Sequence, residues 1–213
     1  MATNIGDYVD LAYKFQDHFT VVPSVLRPFL CSIQPYQIKK EITKFLELAY
    51  ALGPKSLIEI GTANGGTLFL FCRIANPQAT IVSIDLRGIP DWRKQFINTF
   101  AKDKQRLHLI RGDSHNNQVL GKVQAISPIG FDLLFIDGDH SYRGVKKDFD
   151  MYSNLIKSGI IAFHDITPHD RTHDPKGVVR VVDFWNEIKE SYRYLEIVED
   201  KKQGWGGIGV LFV

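Results

Sequence analysis

The sequence predicts an α/β protein: a central, mostly parallel sheet of seven strands, its last strand antiparallel, with helices on both faces. Three observations carry this. From Ser56 onward, short apolar runs alternate with amphipathic segments, the order of strand–helix units that build a parallel sheet covered on both sides. The last two apolar runs have only a turn between them, containing Gly204-Trp205-Gly206-Gly207, and strands joined without a crossover pair antiparallel. The chain has 213 residues, 44% hydrophobic and 23% charged, which suits one globular domain with a substantial core.

The elements follow in order. Residues 1–36 carry Pro23, Pro28 and several aromatics and read as a helical and irregular cover over the domain of residues 37–213. Ile38, Ile42, Phe45, Leu46, Ala49 and Leu52 recur at helical spacing, and Gly53-Pro54 ends that helix. Strands are predicted at Ser56–Ile60, Thr80–Ile84, Leu107–Ile110, Phe131–Ile136, Ile160–His164, Tyr194–Val198 and Ile208–Val213. Helices are predicted at Thr67–Ile74, Trp92–Lys102, Asn116–Ile126, Tyr142–Lys157 and Val178–Glu190. In the fourth of these, Ser141 is the N-cap, Val145, Phe149, Tyr152 and Ile156 form the apolar stripe, and Gly159 stands just past the end.

Composition excludes several classes. The formal net charge is +2, and Lys39-Lys40 and Lys146-Lys147 are short clusters that read as solvated helix faces. No basic stripe suggests a nucleic-acid partner. Cys31 and Cys72 have no metal-type spacing and are expected as free thiols in a reducing compartment, Cys72 within the core run Leu68–Cys72. The first residues lack a basic-then-apolar leader, and no run is long enough to span a bilayer. The expectation is a cytoplasmic protein without a membrane partner; oligomeric state is open.

The chemistry concentrates at strand ends. Ser56-Leu-Ile-Glu-Ile-Gly61-Thr-Ala-Asn-Gly65-Gly66-Thr67 reads as strand, tight loop and helix start. Glycines let a ligand approach the backbone, and a helix start offers free N–H groups to an anion. The loop is not G-x-G-x-x-G, which disfavours a dinucleotide. An acid before the first glycine favours an amine, and the helix start favours a carboxylate; S-adenosylmethionine has both. Further strand ends carry Asp85, Gly112-Asp113-Ser114, Asp137-Gly138-Asp139-His140 and His164-Asp165. Ligands bind at the carboxyl ends of the strands in such sheets, and five polar ends on one rim are hard to explain by packing.

These residues resemble class I S-adenosylmethionine-dependent methyltransferases, whose fold is Rossmann-like. The closest likeness is to small-molecule O-methyltransferases, including the cephalosporin-hydroxylase-like branch. The resemblance runs from about Gln37 onward. Its most specific segments are Glu59–Thr67, Phe135–Tyr142 and Gly159–Asp165. It implies that Glu59, Gly61 and Thr67 hold the methionine part, the Thr67 hydroxyl serving its carboxylate, with Thr62, Ala63, Asn64 and Gly65 completing the loop. Asp85, followed by Leu86, would take the ribose hydroxyls, and Asp113 and Ser114 would flank the adenine. Asp137, also close to the cofactor, matches the first metal ligand of the metal-dependent enzymes, and Asp165 the second. His140 falls where related plant and catechol enzymes place a catalytic lysine. The family's third ligand is an asparagine after the second acid; here it is Ile166, which cannot ligate. The residue before the second acid is acidic in the cephalosporin-hydroxylase-like branch; here it is His164, able to ligate through nitrogen. His169, Asp170, His173 and Asp174 are offered as substitutes by the loop that follows. His18 and His108 are expected to be structural.

Methyl transfer from a sulfonium is difficult on the acceptor side, where a hydroxyl must lose its proton. Asp137 with Asp165 and His164 could hold Mg²⁺ or Mn²⁺ to acidify it, or His140 or His164 could take the proton. The expected activity is O-methylation of a small hydroxylated molecule. Two other readings stand beside it: a non-catalytic cofactor-binding protein, kept open by Ile166, and a metal-dependent hydrolase or oxygenase built on the Asp/His cluster.

Overall fold

The computed structural model describes residues 4–14 and 33–213. The expectations for His18, Pro23, Pro28 and Cys31 lie outside the described residues. Seven strands of the described residues pair in one sheet. Helix α1 (Ile5–Lys14) and helix α2 (Lys39–Leu52) precede it. Helix α2 stops where Gly53 turns left-handed at φ +60° and its N–H returns to the Ala49 and Tyr50 carbonyls. Then come β1 (Ser56–Ile60), α3 (Gly66–Ile74), β2 (Thr80–Asp85), α4 (Asp91–Asn98), β3 (Arg106–Arg111), α5 (Asn117–Ile126) and β4 (Phe131–Ile136). The chain continues through α6 (Tyr142–Tyr152), β5 (Ile156–His164), α7 (Val181–Ile188), β6 (Arg193–Ile197) and β7 (Ile208–Phe212).

The strand order is β3-β2-β1-β4-β5-β7-β6. Strands β1 to β5 pair in parallel, and β7 inserts antiparallel between β5 and β6. The expected closing hairpin is therefore present, with its second strand inside the sheet and its first at the edge. Strand alternation sends Leu57, Ile81, Leu133 and Phe135 to one face, where they pack with Phe45, Leu46 and Phe71 of α2 and α3. Ile58, Val82, Leu134 and Phe163 go to the other, against Val123, Val145, Phe184 and Trp185 of α5 to α7. Each fully buried aliphatic or aromatic side chain contributes roughly 1.5–3 kcal/mol relative to exposure. Cys72 is a free, buried thiol in the first of these layers, and burial pushes it up to about 12. Among the described residues no helix is long and apolar enough to cross a membrane.

Some predicted helices are wrong in extent. Helix α6 does keep its Ser141 cap, which accepts from the Gly144 N–H, but it ends at Tyr152. A single 3₁₀ turn follows and β5 begins at Ile156. Ile156 continues the helical spacing by coincidence and belongs to the strand. Gly159 is not a helix terminator; a Cβ there would lie 2.0 Å from the Asp132 carbonyl oxygen, so close strand approach requires glycine. Helix α4 also ends early, at Asn98, and Phe100 turns inward onto Phe69 and Phe96 at 5.3 and 5.1 Å.

The strand order reverses between β1 and β4, so their following loops part and open a crevice at the carboxyl rim. Gly61 donates to Ile84 and Asp137 donates to Ile60, both at 2.9 Å, which locks three strand ends around that opening.

Candidate functional site

A cavity of about 520 Å³ occupies this crevice, a size that suits a nucleoside-like ligand. The ends of β1 to β4 supply its lining. Of the residues expected from sequence, Gly61, Ala63, Asp85, Leu86, Asp113, Ser114, Asp137 and His140 line it. Glu59, Thr62, Asn64, Gly65 and Thr67 are not part of its lining.

Glu59 is fully buried. One oxygen accepts from Ser83 at 2.5 Å, and the other has no partner. Burial pushes its carboxyl up to about 8; the Ser83 bond opposes this, and the charges of Asp137 and Asp85 add to it. A nearby ammonium would favour its ionised form. Thr62 Oγ1 lies 2.6 Å from Ser83 Oγ, which ties the loop to β2. Gly65 takes φ +83° at the N-cap of α3, where no side chain caps the helix start, the end of a helix that favours an anion. Asn64 donates to Tyr36 Oη at 3.1 Å.

Asp85 Oδ2 accepts from the Ala63 N–H at 3.1 Å, and Oδ1 accepts from the Arg87 and Gly88 N–H groups at 2.8 and 2.9 Å. It is both a turn former and a cavity residue. A carboxylate has about four acceptor sites, which leaves capacity toward the cavity. Asp113 Oδ1 accepts from the His115 N–H, and the Ser114 carbonyl accepts from Tyr152 Oη. Neither caps α5; Asn116 does.

At the other end of the cavity the acids and histidines converge. Asp137 Oδ1 lies 3.1 Å from His164 Nδ1 and 3.7 Å from His140 Nε2. Asp165 Oδ2 lies 2.6 Å from His140 Nδ1, and Oδ1 lies 3.0 Å from His169 Nε2. Asp165 takes φ +65°, rare for a non-glycine residue, and that backbone turns its carboxylate back into the cluster. Burial works to lower His140, but the Asp165 hydrogen bond and the charges of Asp137, Asp165 and Asp139 prevail and hold it at about 9. Burial likewise opposes protonation of His164, and Asp137 and Asp165 together raise it. Burial would raise Asp165; the His164 charge and the bonds from His140 and His169 hold it well below the usual carboxylate range. Asp137, His164 and Asp165 each offer one ligand atom within 4.8 Å of the others, a donor set of two carboxylates and one imidazole that fits a divalent cation.

Ile166 is buried in the core, so the position after Asp165 contributes packing alone. Of the following loop only His169 reaches the cluster. His173 stacks on Trp205 at 5.5 Å and contacts Asp170 at 2.9 Å, while Asp174 accepts from the Val179 N–H. His108 lies in the edge strand β3, away from the cluster.

Two sets of residues were invisible to motif reading. Gln37 is buried between the glycine loop and the cluster: its Nε2 donates to Asp137 Oδ2 at 2.7 Å and its Oε1 accepts from Thr67 Oγ1 at 2.9 Å. The Tyr13 hydroxyl fixes its backbone carbonyl. The Thr67 hydroxyl is thus already engaged, and Asp137 presents its other oxygen to the histidines. Nothing local marks Gln37, which stands 100 residues from Asp137. Asp148, on α6, is fully buried near Gly138 and His115, and burial pushes it up to about 6 against the opposing Ser114 bond and His115 charge. The position of His115 directly after Asp113-Ser114 was the one available signal for that pair.

A second cavity of about 490 Å³ adjoins the first, lined by Gly138, Asp139, His140, Ser141, Asp165, His169, His173, Val178 and Val179. Asp139 and His140 line both.

A family model described as a methyltransferase domain matches residues 58–166, just over half of the chain. The uncharacterized protein R132 of Acanthamoeba polyphaga mimivirus is 31% identical over 112 residues, which cover 51% of this chain. The match spans 50% of the length of that relative. Among solved structures, the O-methyltransferase TomG from Streptomyces achromogenes, involved in tomaymycin synthesis and solved with SAM, has a TM-score of 0.62 at 16% identity. That match covers 97% of this chain and 89% of TomG. An O-methyltransferase from Bacillus cereus in complex with SAH has a TM-score of 0.60 at 17% identity, with 91% and 94% covered. At such identities these two likenesses speak for the fold.

Proposed function

Because the chain belongs to the methyltransferase-domain family, we propose that it is an S-adenosylmethionine-dependent O-methyltransferase acting on a small hydroxylated molecule. The observation that carries this is the placement of His140 at the junction of two cavities, one against the glycine loop and one against the Asp/His cluster. The first cavity suits the cofactor. Its size, the uncapped start of α3 for a carboxylate, and the unpartnered Glu59 oxygen just before the loop all match that ligand's groups.

The bound cofactor would supply an electrophilic methyl on a sulfonium. The residues of this chain would do the rest. Asp165 accepts from His140 Nδ1 and fixes that tautomer, which leaves Nε2 to take the acceptor's hydroxyl proton. Asp137, His164 and Asp165 would hold a divalent cation if one is used, and a cation there would acidify a hydroxyl. The second cavity, next to His140, is the proposed acceptor site.

The reading is tested by calorimetric titration with S-adenosylhomocysteine, with and without Mn²⁺. Asp85→Ala should weaken that binding by roughly 2 kcal/mol, the loss of charge-assisted hydrogen bonds to the ribose. Unchanged affinity would remove Asp85 from the site. If the cation is required, EDTA should abolish turnover and Mn²⁺ or Mg²⁺ restore it, while Asp137→Asn and Asp165→Asn lose the metal response. Full activity in EDTA would leave the proton transfer to histidine alone.

A further inference from the structure

We infer that Gln37 is a positioning residue for Asp137: its buried amide fixes the rotation of that carboxylate and so decides which histidine Asp137 serves. The catalytic meaning of this rests on the methyltransferase reading above. Gln37 is 3% exposed. A carboxylate oxygen only accepts, so the end of the amide that faces Asp137 Oδ2 at 2.7 Å is the nitrogen. The other end is then the carbonyl. It accepts from Thr67 Oγ1 at 2.9 Å, which commits the Thr67 hydroxyl proton to Gln37. Thr67, Gln37 and Asp137 thus form one string in which every donor points toward the acid. The backbone holds that string in place. The Tyr13 hydroxyl donates to the Gln37 carbonyl. The segment before Gln37 lies against the first turn of α3, where a Cβ on Gly66 would stand 2.1 Å from the Ile33 carbonyl oxygen and 2.6 Å from the Pro35 nitrogen. Glycine at 66 permits the approach that brings Gln37 to Thr67.

With Oδ2 taken by Gln37, Asp137 turns Oδ1 toward two rings. His164 Nδ1 is within hydrogen-bond reach at 3.1 Å, and His140 Nε2, at 3.7 Å, is not. The terminal torsion of an aspartate is soft, so nothing in the side chain itself holds this arrangement. Without the amide the carboxylate is free to rotate and close on His140 Nε2, the atom proposed to take the acceptor's proton. His164 has a second carboxylate to turn to, because its Nδ1 also lies 3.4 Å from Asp165 Oδ1. Gln37 therefore keeps Asp137 on His164 and leaves Nε2 of the proposed base open.

The test is imidazole NMR on the full chain with ¹⁵N-labelled histidine, at one fixed pH. His164 Nδ1 faces two carboxylates and carries a proton, and the downfield signal of that proton reads its bond to Asp137. Gln37→Met keeps the length of the side chain and removes both polar ends. It should move the His164 signal upfield and shift the His140 Nε2 signal with it. Thr67→Val keeps the shape of the residue and frees the amide to turn. It should move both signals in the same directions by less, and it decides the matter if Gln37→Met does not fold. In an Asp137→Ala background, Gln37→Met should add no further shift. Unmoved signals in the folded variants would overturn the inference, because a Gln37 that only packs would lower the melting temperature and leave the rings as they are. So would equal shifts with Asp137 absent. Failure of wild type to bind S-adenosylhomocysteine by calorimetry would remove the catalytic meaning alone, and the ring signals would still decide what Gln37 does.

Discussion

His140→Ala should lower turnover by about a hundredfold or more, with little change in affinity for S-adenosylhomocysteine, the usual scale for losing a general base. The geometry behind this is the fixed ring. Asp165 holds Nδ1 at 2.6 Å, and Nε2 faces Asp137 at 3.7 Å. The pH profile carries more information than the rate. With no cation in the site, His140 sits near 9, so the base form is scarce at neutral pH and the rate should climb through that region. A bound cation opposes the imidazolium and should move the ascending limb to lower pH. The same shift has a stability consequence of the opposite sense. A histidine raised in the folded state gives stability that is complete below its ordinary value near 6.5 and is lost as pH rises through about 9. Catalysis and stability should therefore respond to alkaline pH in opposite directions. If the mutant keeps the wild-type rate and ascending limb, the base lies elsewhere, and His164 is next to examine.

Gly61→Ala should cost roughly 3 kcal/mol or more in stability, a melting-temperature drop of roughly 10 °C for a chain of this size. Two effects add. Gly61 takes φ +97°, which a Cβ makes unfavourable. That Cβ would also lie 2.0 Å from the Asp137 carbonyl oxygen, a backbone atom that cannot turn away. The contact joins the first and fourth strand ends, so the crevice should distort and cofactor binding fall with stability. Gly121→Ala is the contrast: it lies within α5 with nothing inside 4 Å of the added methyl, and should stabilise by roughly 0.5–1 kcal/mol. Chemical denaturation of both variants checks this. A Gly61→Ala protein within 1 kcal/mol of wild type would mean the β1–β4 junction is looser than its geometry.

Most of the strand framework was legible because it is local. The runs Ser56–Ile60 and Phe131–Ile136 appear with the bounds expected from their apolar residues and turn signals. The end of α6 was not legible, because Ile156 happens to fall in helical phase while Gly159 answers to Asp132 across the sheet. The acids and histidines of the rim were named from their place after strands, yet their partners were not. Ile166 was recognised as unable to ligate, but only burial in the core reveals what it does.

By itself the sequence determined the alternation of strands and helices, the glycine loop and the polar rim. Each strand, helix, glycine turn and polar strand end among these is written in a short local stretch, where propensity, spacing and turn chemistry act directly. Only the tertiary structure decided which rim residues meet. The strand order sets β1 beside β4 and opens the crevice, the segment before α2 brings Gln37 between Thr67 and Asp137, and the turn at Asp165 gathers His140 and His169 around one carboxylate. Those hydrogen bonds join residues up to 100 positions apart. Their geometry follows from packing the whole sheet, which no local pattern encodes.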